Sequence, residues 1–295
     1  MIKTVIMMTK PLSSSDATLS ILFFGDIVGR PGRKAVAAYL AHRRTEGTLP
    51  DVVIANGENA THGFGLNEGH YKELLTAGVN IVTGGNHIWD RPEIVHYIEK
   101  AEYLVRPANF PANMPGRGAA VFEVNGHKIG VINLLGQVFM GNYNIAWEQL
   151  EKYVKDLQAE TPVVFLDFHA EATAEKISMA HYCAGLKLSC MAGTHTHVQT
   201  ADERVINEQL GYITDAGFNG IYNSVIGMDV QSSLLRLKSF VPSRLEVATG
   251  PVAQLNAVEY QVNKNTGRCQ SVQRINTQVD LKEQRVVQPQ ACSIV

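Results

Sequence analysis

The chain is short of several things, and each shortage narrows what it can be. Its 295 residues include only four cysteines, Cys183, Cys190, Cys269 and Cys292. No two of them form a C-x-x-C pair, so a disulfide scaffold or a thiolate metal site is not indicated, and buried thiols in a reducing cytoplasm are expected. Long hydrophobic runs are missing. No stretch approaches the roughly 18 apolar residues of a membrane span, and the apolar stretch at 4–8 is too short for a signal-peptide core. An excess of one charge is missing too. Lys and Arg number 26 against 28 Asp and Glu, a net charge of −2, and the pI is near 6.6. A duplex nucleic-acid binder would usually carry a basic patch or stripe; no long basic run appears, so neither nucleic-acid duplex nor membrane is expected as a partner. A small anionic ligand held by metals stays open. There are no internal repeats or low-complexity blocks.

What is present suits a soluble α/β protein. Hydrophobic residues make up 45% and charged residues 18%, which is ordinary for a globular chain long enough to bury a sizeable core. Short apolar runs alternate with longer amphipathic stretches. The pattern predicts strands at 19–24, 51–55, 79–83, 163–168, 186–192 and from 211. It predicts helices at 33–44, 67–77, 92–100, 145–159 and 172–183, with Pro31 near the first turn of one and Gly78 closing another. Asn125-Gly126 between 119–124 and 128–133 signals a hairpin, and 252–262 with 267–275 suggests a late one. No linker divides the chain. Residues 1–18 read as a flexible extension (or a start placed too early, with Met7 and Met8 as alternatives), 19–279 as a single domain, and 280–295 as a loose tail.

Five of the apolar runs end in residues able to bind metal. ILFFG leads to Asp26, VVIANG to Glu58-Asn59, NIVTGG to Asn86-His87, VVFLDF to His169, and LSCMAGT to His195-Thr196-His197. Ligands gather at the carboxyl ends of strands in open α/β sheets. Singly, each residue has a plainer explanation: an acid after a strand caps a helix, a His-x-His pair lies at the surface, an asparagine after two glycines makes a turn. Five such coincidences at one structural position favour a metal site. Histidine with carboxylate suits iron, manganese, zinc or nickel better than magnesium or calcium. The donors are too many for one tetrahedral zinc, whereas two ions sharing Glu58 would use them. A pair of ions about 3.5–4 Å apart clamps an in-line displacement at phosphorus and turns bound water into a hydroxide nucleophile.

At Gly84-Gly85-Asn86-His87 and Gly193-Thr194-His195-Thr196-His197 the sequence resembles the calcineurin-like metallophosphoesterases. It is more similar still to the YmdB-like phosphodiesterase branch, through FFGDIVGRPGR, NGENATHGFGL, TGGNHIWD, RPANFP, DFHAEATAEK, GTHTHVQTADERV and YITDAGFNG. These runs extend in order from about residue 20 to 275. The resemblance implies a metallophosphoesterase sandwich of two packed sheets flanked by helices, and a dinuclear centre that is often iron. It implies that Asp26, Glu58 and His197 hold one metal with Asn59 beside it, and that Glu58, Asn86, His169 and His195 hold the other. His87 would then be the proton donor. The branch is associated with hydrolysis of 2′,3′-cyclic nucleotides to the 3′-phosphate and with homo-oligomers. Two departures from the wider superfamily match the narrower branch: Val28 stands where a ligand histidine is usual, and Glu58 replaces the bridging aspartate. Ile221 and Asn223 stand where the branch more often has proline and aspartate.

On this reading the metals stabilise developing charge and His87 protonates the leaving 2′ oxygen. Asp90 either orients His87 or caps the helix before Pro92. Arg30 at the start of a helix, and His62 closing NGENATH, are candidate substrate contacts. Two rivals remain: a phosphomonoesterase on the same centre, and a metal- or nucleotide-sensing regulator with weak hydrolysis.

Overall fold

In the computed structural model, residues 17–239 and 244–287 are described. Strand β1 (Thr18–Phe24) shows how the layers arise. A strand alternates its side chains between two faces. Leu19, Ile21 and Phe23 enter one core while Leu22 and Phe24 enter another, so the strand is covered on both sides.

The chain continues through β2 (Asp26–Ile27), α1 (Gly29–Thr45), β3 (Val52–Asn56), α2 (Glu68–Ala77), β4 (Ile81–Thr83) and β5 (Leu104–Val105). Then come β6 (Ala119–Val124), β7 (His127–Leu135), α3 (Ala146–Gln158), β8 (Val164–His169), α4 (Thr173–Gly185) and β9 (Cys190–Thr194). The last stretch holds β10 (Arg204–Ile206), β11 (Leu210–Ile213), β12 (Phe218–Ile221), α5 (Val230–Ser239), β13 (Val252–Asn263), β14 (Cys269–Asp280) and β15 (Arg285–Val287).

Two sheets form. One has the order β15-β14-β13-β1-β3-β4-β5, with β12 tying β13 to β2; the other runs β10-β11-β9-β8-β7-β6. Strands β1, β3, β4 and β5 are parallel, as are β7, β8, β9 and β11. The sheets face each other across a core in which Phe165 lies 4.9 Å from Phe23 and 6.1 Å from Tyr260, ring centre to ring centre. Helices α1 and α2 cover the outer face of the first sheet, and α3 and α4 that of the second. This is the expected sandwich, and it brings the parallel strands of both sheets to one rim. No helix among the described residues is long and apolar enough to cross a membrane.

Several expectations need correction. Residues 92–100 form two 3-10 turns, Pro92–His96 and Ile98–Lys100, in place of an α-helix. Tyr97 interrupts them at φ −128°, because its hydroxyl donates to the Leu66 carbonyl at 2.7 Å and its ring stacks on Tyr71. β9 starts at Cys190, later than 186, since Leu186 caps α4 and Lys187 sits at φ +62°. α1 starts at Gly29, earlier than 33. Of the supposed loose tail, Arg285–Val287 pairs with β14, and 288–295 lies outside the described residues. Of the N-terminal extension, Thr18 already pairs in β1, and 1–16 also lies outside them, as does Cys292. The other three cysteines are free and buried. The hairpin at Asn125-Gly126 is present, with φ +51° and +78°.

Truncating the ring at the centre of the inter-sheet core should be costly. Phe165→Ala is expected to lose about 3–5 kcal/mol, read as a lower denaturant midpoint with an unchanged slope.

Candidate metal centre

Sharp turns deliver the site residues from the strand ends. Asp26 opens β2, Glu58 and Asn59 follow β3, Asn86 and His87 follow β4, His169 ends β8, and His195 and His197 follow β9. Gly85 is required for close approach: a Cβ there would lie 2.1 Å from Glu58 Oε2 and 2.6 Å from His169 Cε1.

The structure brings all seven expected metal-binding residues together. Asp26, Glu58 and His197 form one group, and Glu58, His169 and His195 another, each with its donor atoms within 4.8 Å of one another. Asn86 Oδ1 lies 2.9 Å from His169 Nε2. Asn59 Nδ2 donates to Glu58 Oε1 at 2.8 Å and lies 3.4 Å from His197 Nε2. Asp26 and Glu58 are fully buried. Asp26 Oδ1 and Asn59 Oδ1 are buried with no hydrogen-bond partner among the described residues. Buried oxygens left unpaired are costly, so this donor set suits cations.

Each histidine has one nitrogen held from outside the cluster and the other turned toward the donor atoms. Thr194 Oγ1 donates to Asp167 Oδ1 at 2.7 Å, so it accepts from His169 Nδ1, 2.9 Å away. That leaves His169 Nε2 facing Glu58 Oε1 at 3.2 Å. His197 Nδ1 donates to the Ile226 carbonyl at 2.9 Å. His195 Nε2 is 3.2 Å from Glu171 Oε2, and its Nδ1 is 3.2 Å from His169 Nε2. Such outer partners fix ring orientation and tautomer at metal sites. The loop carrying two of these rings is strained, with His195 at φ +95° and His197 at +65°, conformations that non-glycine residues avoid. It is pinned by the His195 N–H on Asp26 Oδ2 at 3.1 Å. It is also pinned by Thr196, whose N–H and hydroxyl donate to Asp215 Oδ2 at 3.2 and 2.6 Å. Asp215 is itself paired with buried Lys176 at 2.8 Å.

Burial pushes the Asp26 carboxyl up, against the pull of His197 and His169. Burial also acts to raise Glu58, but the charge and hydrogen bond of His169 and the His87 N–H outweigh it and hold Glu58 at about 2. For His169, burial is outweighed by Glu58, Asp26 and Asp167, which push it up to about 9. Burial and the neighbouring His169 drive His195 down to about 3, so it is a neutral ring able to donate an electron pair. Burial raises Asp167 to about 6.

Outside the ligand cluster, His87 Nδ1 lies 2.8 Å from Asp90 Oδ2, and its backbone N–H donates to Glu58 Oε2 at 2.9 Å. The cluster opens into a cleft of about 360 Å³ that His87 lines together with Phe64, Glu171, Met228 and Leu245. The two candidate substrate contacts are not there. Arg30 and His62 line a neighbouring cavity of about 580 Å³. Val28, where the wider superfamily usually has a ligand histidine, is fully buried in an apolar cluster with Phe218 and Met228. Sequence reasoning missed Glu171, Thr194, and the Asp167 hub that accepts from Asn56 at 2.9 Å and Thr83 at 2.5 Å. Asp167 did carry a signal: it is an acid inside the apolar run VVFLDF.

A family model described as YmdB-like protein matches residues 22–275. The chain is 40% identical over 257 residues to a Bacillus subtilis (strain 168) protein named 2′,3′-cyclic-nucleotide 2′-phosphodiesterase, covering 87% of this chain and 96% of that one. It is similar to a solved structure of a hypothetical protein from Thermus thermophilus at 35% identity, with a TM-score of 0.80 and coverage of 88% and 98%. A Mycoplasma pneumoniae structure described as a novel phosphatase matches at 34% identity, with a TM-score of 0.80 and coverage of 88% and 93%.

Two outcomes follow. A metal at His169 Nε2 must displace a proton that is held up to about pH 9. Metal binding is therefore expected to release a proton at neutral pH, and affinity to rise as pH rises toward 9 and then level off. Calorimetry in buffers of different ionisation enthalpy checks this. Thr194→Val removes the acceptor that orients His169 and should weaken metal binding about 10–100-fold, measured by competition with a chelator.

Proposed function

This chain belongs to the YmdB-like protein family, and we propose that it is a phosphoester hydrolase, a two-metal phosphodiesterase that opens 2′,3′-cyclic nucleotides to 3′-nucleotides. The observation that carries the proposal is the placement of Glu58 in both donor groups, which lets one buried carboxylate serve two ions. Asp26, Glu58, Asn59 and His197 would hold one, and Glu58, Asn86, His169 and His195 the other. Iron fits the resemblance, and manganese or zinc also suits these donors. Two ions held there would supply Lewis acidity at phosphorus and lower the pKa of water. A cytoplasmic setting and a homo-oligomeric assembly belong to the same reading.

The chain's own groups account for the rest. Opening the ring breaks the bond from phosphorus to O2′, water adds to phosphorus, and O2′ takes up a proton. On this reading His87 gives it. Asp90 holds Nδ1, which leaves Nε2–H as the donor, and Phe64 packs edge-on against the ring at 5.1 Å. The His87 N–H on Glu58 ties the acid to the shared carboxylate, so the two keep register. Phe64, Ile226, Met228 and Leu245 give the cleft an apolar wall for a base, and about 360 Å³ is within the range of small-ligand pockets.

His87→Ala is expected to retain both metals and to lose about 10²–10⁴-fold in kcat on 2′,3′-cyclic AMP. Loss of a metal instead would make His87 a ligand. Assays of the same cyclic nucleotide beside p-nitrophenyl phosphate and its bis-ester separate the rivals. Faster turnover of the monoester replaces this reading with a phosphomonoesterase, and kcat/KM far below about 10⁴ M⁻¹s⁻¹ for every substrate favours the sensor.

A further inference from the structure

The larger cavity beside the metal cleft has no part in the chemistry above. Its volume is about 580 Å³, and Arg30, Lys34, Arg244, His62 and Glu246 stand around apolar walls that include Leu245. Some arginines elsewhere are paired with carboxylates, Arg33 with Glu73 at 2.8 Å and Arg43 with Glu259 at 2.9 Å. Around this cavity, Arg30, Lys34 and Arg244 make no ion pair or side-chain hydrogen bond among the described residues. Three free cations against the one carboxylate of Glu246 leave the cavity positive, in a protein whose net charge is −2. Arg30 and Lys34 are four residues apart on α1, so they share a face.

The cavity adjoins the cleft. Leu245 lines both. His62 lines one and the adjoining Gly63 the other, across a turn in which His62 is held at φ +54° and Gly63 at +88°. A non-glycine residue in that conformation is strained, and such strain gathers at functional sites.

We propose that this cavity binds the nucleotide preceding a terminal 2′,3′-cyclic phosphate, so that the substrates include short single-stranded RNA 3′ ends. The proposal rests on the phosphodiesterase reading. With the cyclic phosphate at the metals, a chain can continue only in the 5′ direction, through one phosphodiester. Arg30, Lys34 and Arg244 match that charge, and the apolar walls accept a base. The volume suits one such unit, in keeping with a chain that has no basic stripe for a duplex.

The test compares kcat/KM of the metal-loaded full chain for 2′,3′-cyclic AMP, its 5′-phosphorylated form, and a diadenosine dinucleotide ending in a 2′,3′-cyclic phosphate. The dinucleotide is expected to exceed cyclic AMP by at least about tenfold, the scale of one or two charge-assisted contacts. The double variant Lys34→Glu, Arg244→Glu should bring that ratio to about one. A wild-type ratio near one, or a variant that slows both substrates alike, overturns the proposal. If the 5′-phosphate alone gives the whole gain, the cavity is a phosphate pocket for mononucleotides and the RNA assignment fails. Calorimetric binding of the linear dinucleotide 3′-phosphate against 3′-AMP needs no turnover. Tighter dinucleotide binding that the variant abolishes, with no hydrolysis of any substrate, sinks the phosphodiesterase reading and supports the cavity. Hydrolysis without the added affinity does the reverse.

Discussion

Taking Asp26 and Glu58 completely out of water is unfavourable unless positive charge stands beside them. The rest of the site is arranged around that requirement. Both carboxylates come from the first sheet, and the three rings that face them, His169, His195 and His197, come from the second. The rim is therefore a seam between sheets as well as a donor cluster. His169 meets the requirement within the protein itself by becoming a cation beside Glu58, the same charge that a metal ion would supply there. Stability and metal affinity are coupled through one buried carboxylate.

A second layer keeps the rings in place. Asp167 takes hydrogen bonds from Asn56 and Thr83 of the first sheet and from Thr194 of its own. One side chain thus locks the sheets together and, through Thr194, holds His169 Nδ1 as a donor so that Nε2 faces Glu58. Lys176 and Asp215 do comparable work for the strained loop at 195–197, a buried pair whose carboxylate fastens Thr196 from behind. Fully satisfied buried networks of this kind rigidify a site, so the donors are positioned before any ligand arrives.

The acid and the ligands are separated by burial. His169 is fully enclosed, whereas the His87 side chain is 33% exposed, near enough to water to exchange its proton and anchored by Asp90 and Glu58. The cleft and its charged neighbour then divide recognition between a metal-facing chamber and a cationic one, meeting at Leu245.

Local pattern was enough for much of this. Alternation and apolar runs marked the long strands, Asn125-Gly126 marked its hairpin, and the same structural position recurring after five runs marked the donors, because periodicity and turn chemistry are properties of neighbouring residues. The short strands β2, β5, β10 and β12 have no period of their own and exist only because another strand is there to pair with. The 3-10 turns at 92–100 depend on what Tyr97 meets across the fold. Arg30 and His62 read as substrate contacts, yet both line the neighbouring cavity and not the metal cleft, a placement set by the fold around them. The sequence alone determined which residues could bind metal and roughly where on the strands they lie. Only the tertiary structure decided which nitrogen of each ring faces inward, which side chains hold the rings from outside, and that Arg30, Lys34 and Arg244 surround a cavity beside the cleft, since each depends on atoms brought together from distant parts of the chain.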